Sequence, residues 1–164
     1  MFNHEPEGYE CPFCFLLDGG DTDLDDQRDI VLRTDLATAL VAANWSRGNE
    51  AHVLVIPNAH HENLYDLPAE YGHAVHDAVR AVAIAMRAAY PECAGISTRQ
   101  HNEPAGTQHV WHQHVHVFPR YEGDDFYHVA PEFRVSRIEE RLPYAELLRR
   151  RIAAGRVLVR DPRG

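Results

Sequence analysis

Two periods of apolar residues alternate along the chain. From Pro68 onward, Val75, Val79, Val82 and Met86 recur at spacings of three and four, the stripe of an amphipathic helix running to Pro91, with Asp66 or Leu67 at its cap. Elsewhere the pattern is that of strands. Asp29 to Arg33 and Ala39 to Ala43 are β-prone and flank Thr34-Asp35-Leu36, which predicts a hairpin. Ala51 to Pro57 is an apolar run closed by proline, the pattern of a buried strand. Gly95 to Arg99 predicts another strand. Asn102-Glu103-Pro104-Ala105-Gly106 is turn chemistry leading into a last strand, His109 to Phe118, closed by Pro119. Asp18 to Gln27 is acidic and reads as a solvated loop, and a helix is expected from Pro143 to Ala153. About five antiparallel strands with one dominant helix predict an α+β domain over residues 1–122, and residues 123–164 a C-terminal extension.

Composition narrows the function classes. The net charge of -9 with histidine neutral disfavours a nucleic-acid partner, and lysine is absent, so arginine carries all cationic charge. No apolar run approaches the roughly 18 residues of a membrane span, and no secretory signal opens the chain, so a cytoplasmic setting is expected. Three cysteines are too few for a disulfide framework. Cys11-Pro-Phe-Cys14 reads as half a metal site or a redox pair, and Cys93 as a small buried residue. The redox reading would need a βαβ context around the pair, which the pattern lacks.

The densest chemistry lies in the last strand. Side chains alternate along a strand, so His112, His114 and His116 are expected to project to one side, with Val115 and Val117 facing a core. Three imidazoles one strand step apart repel one another when protonated. The plain alternative is the exposed polar face of a half-buried strand or an adventitious metal-binding surface, but the arrangement suits phosphorus chemistry. Imidazole, with a reference pKa of about 6.5, is largely neutral and nucleophilic near neutral pH and leaves well once protonated. A phosphoramidate can therefore form and break without a metal. Asn102 and Gln108 bring amide donors nearby, and the Gly106 backbone can approach a ligand closely.

His112-Gln113-His114-Val115-His116-Val117-Phe118-Pro119-Arg120 resembles the signature of the histidine-triad (HIT) superfamily, and the similarity extends to Asn44, eight residues before His52-Val53-Leu54-Val55-Ile56-Pro57. The resemblance covers roughly residues 11 to 120. It implies an antiparallel sheet against one long helix, a homodimer, and hydrolysis or nucleotidyl transfer at a nucleoside phosphate through a nucleotidyl-histidine. By position, the resemblance makes His114 the nucleophile and His116 the phosphate binder, assisted by Gln108 and Asn102. Asn44 would hold the ribose, and Phe13, Leu16 and Leu54 would wall the base. Gln113 stands where the family prefers an apolar residue, and Gly106-Thr107-Gln108 is one residue longer than the common Gly-Gln form. HIT proteins with an N-terminal CxxC resemble a zinc-bearing branch, which implies a structural zinc on Cys11, Cys14, His60 and His112, with His61 as the alternative to His60. His52, His73, His76, His101 and His109 are expected to be surface or packing residues. Dinucleoside polyphosphates, nucleoside phosphoramidates and nucleotide-sugar transfer are the candidate substrates. The intact third histidine disfavours the last, and the family's preference points to a purine nucleotide. The reading from another class is a zinc-stabilised nucleotide-binding module with little turnover.

Overall fold

A computed structural model describes residues 2–128 and 132–158, with side chains described to Gly155; the last part of the expected extension lies outside the described residues. A five-stranded antiparallel sheet runs in the order β1 (Ile30–Arg33), β2 (Ala37–Val41), β4 (Val53–Pro57), β6 (Val115–Arg120), β5 (Gly95–Gln100). A second, two-stranded sheet pairs β3 (Asn44–Ser46) with β7 (Phe133–Val135). Among the described residues three α-helices complete the fold: α1 (Pro12–Leu17), α2 (Ala69–Ala89) and α3 (Ile138–Leu158).

The two faces of the large sheet do different work. Val41, Val53, Val55 and Val117 pack one face against the predicted stripe of α2, and Val75, Val79, Val82 and Met86 are all buried there. The opposite face carries Leu40, Leu54 and Ile56, covered by Phe13 and Leu16 of α1. That second face is where polar side chains gather.

The helix and hairpin lie where the periodicity puts them, while several boundaries differ for physical reasons. Pro68 itself occupies the N-cap of α2, with no side-chain cap bond, in place of Asp66 or Leu67. The last strand begins at Val115 rather than His109, because residues 109–114 follow an irregular path fixed by Gln113 N–H donating to the His61 carbonyl at 2.7 Å. Pro119 lies inside β6 rather than ending it. Pairing with β4 stops at Val117, so position 119 has an edge-like slot where a missing N–H is tolerated. Helix α3 begins five residues before Pro143. Glu140 accepts the Arg137 N–H at 2.9 Å, and Arg141 grips buried Asp29, so the first turn forms despite the proline. Ala145, Leu148 and Ile152 of α3 join the same core cluster as α2. Arg149 donates to the carbonyls of Arg28 and Ile30, fastening the helix to β1. Helix α1 and strand β7 had no periodic signal, being only six and three residues long.

Candidate active site and metal centre

A single rung of residues crosses the second face: Leu40 opposite Leu54, Leu54 opposite His116, His116 opposite Arg99. Residues directly opposite on antiparallel strands share a face about 5 Å apart, so this rung passes from hydrocarbon through imidazole to guanidinium. Above it opens a cavity of about 510 Å³, within the usual range for small-molecule sites. Phe13, Leu24, Leu54, Val110 and Phe133 supply its apolar wall. Asp25 and Asn44 are polar lining groups, and His114, His116, His101 and Arg99 also reach it.

Only two of the three triad histidines face this cavity. His114 Nδ1 donates to the His112 carbonyl at 2.7 Å. A carbonyl only accepts, so the proton lies on Nδ1 and the Nε2 lone pair is free. Burial, the largest influence, drives the His114 pKa down and keeps the ring neutral. Its ring lies edge-on to Phe13 at 5.5 Å and 5.0 Å from that of His116. His116 stacks on Phe118, and its Nδ1 meets His52 Nε2 at 3.3 Å. His52 is fully buried, with Nδ1 unpartnered among the described residues, and burial lowers its pKa to about 3. The neutral tautomer that orphans a lone pair rather than an N–H places the His52 proton on Nε2, donating to His116. His116 then presents Nε2–H to the cavity.

His112 turns the other way. Its Nε2 donates to the Pro57 carbonyl at 3.0 Å, which leaves Nδ1 as a lone pair 3.3 Å from Cys11 Sγ and 3.6 Å from Cys14 Sγ. Burial holds its pKa down to about 4. His60 Nδ1 lies 3.3 Å from Cys14 Sγ, and its Nε2 faces Glu5 at 3.0 Å. Cys11 caps α1, so the two cysteines straddle one helical turn. The four ligand atoms lie within 4.8 Å of one another. Tetrahedral zinc with two sulfurs and two nitrogens implies S–N edges of about 3.5 Å, so the spacing and donor set fit that ion. Burial and the neighbouring Cys11 hold the Cys14 thiol up to about 12, and a dication is what would let both sulfurs ionise. The structure brings His60 rather than His61 to the cluster; His61 packs against Tyr71.

Phe13, Leu54, Asn44, His114 and His116 therefore line the cavity as the sequence suggests. Leu16, Gln108 and Asn102 do not. Leu16 is fully buried behind Phe13. Gln108 donates to the carbonyls of Glu62 and Val110 and accepts the Glu103 N–H, bracing its loop. Asn102 accepts the Leu64 N–H and donates to Gln100. A 3-10 turn at Pro104–Gly106 followed by Thr107 with φ of 64° turns the longer loop so that Thr107, not Gln108, reaches the cavity. His52, His101 and His109, expected to be surface or packing residues, line the cavity, as do Arg99 and Asp25, which no motif marks. For His52 a signal existed: it stands two residues before Leu54, hence on the same face.

The model of the HIT domain matches residues 24–123. The chain belongs to the HIT family. Among curated HIT relatives, Protein hit of Bacillus subtilis is 38% identical over 82 residues, covering 49% of this chain and 56% of that protein. An uncharacterized HIT-like protein of Methanocaldococcus jannaschii is 30% identical over 77 residues, covering 46% of this chain and 57% of its own length. The chain thus spans somewhat over half the length of these relatives. A Zn-bound histidine triad family protein from Mycobacterium smegmatis superposes with a TM-score of 0.74 at 25% identity, covering 91% of this chain and 97% of that one. Diadenosine triphosphate hydrolase of Plasmodium falciparum shares the fold at a TM-score of 0.68 and 18% identity, covering 94% of this chain and 90% of that one. Among the described residues no helix is long and apolar enough to cross a membrane.

Proposed function

We propose that this HIT protein cleaves a nucleoside phosphoanhydride or phosphoramidate, as a hydrolase or nucleotidyltransferase, through a nucleotide bound covalently to His114. The observation that carries the reading is the His114 Nδ1–H bond to the His112 carbonyl, which leaves Nε2 as an unprotonated nucleophile at the cavity. In the first step Nε2 attacks the α-phosphorus, forming a P–N bond. The bond from phosphorus to the leaving group breaks and its electron pair departs with that group, as a phosphate anion from an anhydride or, from a phosphoramidate, as an amine that has taken a proton from solvent. Water or another acceptor oxygen then attacks the same phosphorus. Its O–P bond replaces the P–N bond, Nε2 recovers its electron pair, and the acceptor's proton is released. His116 Nε2–H donates to the phosphoryl oxygens as negative charge builds on them. Asn44 holds the ribose, and Phe13 and Leu54 flank the base, with Leu16 supporting Phe13 from behind. Gln108 and Asn102 serve as braces of the loop carrying Thr107.

Zinc on Cys11, Cys14, His60 and His112 is proposed as structural, with four protein ligands and no position open to water; the donor set and the Zn-bound mycobacterial relative support it. The nucleotide-binding domain is assigned to residues 1–122 and the remainder of the chain to an extension, from which Phe133 reaches the cavity wall. A homodimer is proposed on the family resemblance, which sedimentation measures, and a cytoplasmic setting on the sequence pattern.

The test is to incubate the protein with diadenosine polyphosphates and adenosine phosphoramidates and to look for adenylylated protein by mass spectrometry. Label should appear on His114, and His114→Ala should lose it along with at least about 10³-fold in turnover. Failure to form adduct or product across the panel would leave a nucleotide-binding module without turnover.

A further inference from the structure

Resting on the catalytic reading above, we propose that Arg99 is a second-phosphate site, so that the substrate is a nucleotide whose leaving group is itself a phosphate chain. Arg99 stands directly across from His116 in the β5–β6 ladder and lines the cavity at its β5 end. The cavity is polar in a consistent direction. Buried Asp25, in electrostatic contact with Asp29 just before β1, opposes an anion at that end, where Leu54 offers only hydrocarbon. Arg99 closes the opposite end. A nucleotide threaded along this rung has its uncharged nucleoside over the apolar end and its α-phosphorus at His114 and His116. Whatever follows the α-phosphorus then lies over Arg99.

The guanidinium is held for such a task. It lies 4.0 Å from the Phe126 ring centroid, 5.0 Å from that of Tyr127 and 5.6 Å from that of Phe118, and it donates to the Phe126 carbonyl at 3.3 Å. Stacking fixes its plane while leaving most of its five N–H donors available. A second arginine makes the contrast. Arg120 stacks on the same Phe126 and Tyr127 rings, at 4.5 and 4.7 Å, but is neutralised by Asp124 and also bonded to Ser97. Arg99 has no carboxylate within ion-pair distance among the described residues. In a chain of net charge -9, the arginine that lines the cavity carries no counter-charge among the described residues. An arginine placed merely to cap an aromatic cluster has no need of the cavity. A planar fork free to meet non-bridging oxygens matches a β- or γ-phosphate. It offers nothing to an ammonia or amine leaving group.

Two comparisons test this. The first uses binding alone, by calorimetry, with AMP and the non-cleavable adenosine 5′-(α,β-methylene)triphosphate. The native protein should bind the triphosphate analogue roughly 10-fold or more tighter than AMP. Arg99→Gln should erase that gain by weakening the triphosphate analogue roughly 10-fold more than AMP, and Arg99→Lys should keep part of it. The second compares kcat/KM for diadenosine tetraphosphate with that for adenosine 5′-phosphoramidate. Arg99→Gln should lose roughly 10- to 100-fold on the first and less than about 3-fold on the second. Equal native affinity for AMP and the triphosphate analogue overturns the proposal without recourse to any variant. So does an equal loss on both substrates in Arg99→Gln. Absence of turnover on every substrate would instead remove the catalytic reading, with the binding comparison still deciding the role of Arg99.

Discussion

Asp25 lies buried at the cavity wall, and its carboxyl is pushed up to about 6, by burial first and then by the charge of Asp29. The fold therefore prefers the protonated form. Stability from this group is full below the ordinary value of 3.8 and is lost as pH rises to about 6, because the unfolded chain releases its proton first. At neutral pH the charged carboxylate is a net burden on the fold. Asp25→Asn, neutral at every pH, should be more stable than the native chain by on the order of 1–3 kcal/mol at pH 7 and little different near pH 4. Chemical denaturation at the two pH values measures this. Equal stability at pH 7 would mean that the carboxylate is solvated. Single-residue chemistry of this kind was only partly legible in the sequence. The alternation that put His114 and His116 on one face is local, whereas the surroundings that tune Asp25 include Asp29, in the turn before β1, and Arg141 of α3.

The element that most changes the picture is α3. Its register is set by Arg141, which donates to Asp29 at 2.8 Å, to the Ser136 carbonyl at 2.7 Å and to the Leu24 carbonyl at 2.8 Å, with both charged side chains almost wholly excluded from water. Removing one partner of a buried pair leaves the other uncompensated. Arg141→Ala should therefore cost roughly 3–5 kcal/mol in urea or thermal unfolding. A loss under about 1 kcal/mol would show that α3 is held by Ala145, Leu148 and Ile152 alone. The sequence predicts this helix from Pro143, five residues after the start at Ile138. The capping by Glu140 and the grip of Arg141 are tertiary facts that override the local preference of proline. Strand β7 is the stronger case. Three residues have no period to read, yet pairing with β3 places Phe133 at the cavity.

At the scale of the whole molecule, the cysteine and histidine cluster joins segments far apart in the chain. Cys14 meets His60 across 46 positions, and Cys11 meets His112 across 101. A metal held there closes long loops and fixes α1 over the second face of the sheet, with Phe13 against His114. Purified protein should carry about one zinc per chain. Cys11→Ser or a strong chelator should remove it and lower the melting temperature by roughly 5 °C or more. Metal analysis with a thermal scan decides the matter: a metal-free chain of unchanged melting temperature would reduce the cluster to packing. Because α1 forms part of the cavity wall, nucleotide affinity should fall together with the metal.

Some of this protein is written locally. The i, i+3, i+4 spacing of Val75 to Met86 made α2 because a helix repeats every 3.6 residues whatever surrounds it. The alternation of Val115, His116, Val117 and Phe118 made a two-faced strand for the same kind of reason, and a CxxC at a helix start set two sulfurs side by side. The division of the histidines was decided elsewhere. His112 turns to the cysteines and His114 to the cavity because the Pro57, His61 and His112 carbonyls, brought together only by folding, claim particular ring or backbone N–H groups. Arg99 acquires its place through strand pairing, and Gln108 loses its expected place through one left-handed residue at Thr107. Periods report on a residue's immediate neighbours. Partners at a distance are chosen by the packing and hydrogen-bond demands of the whole chain at once.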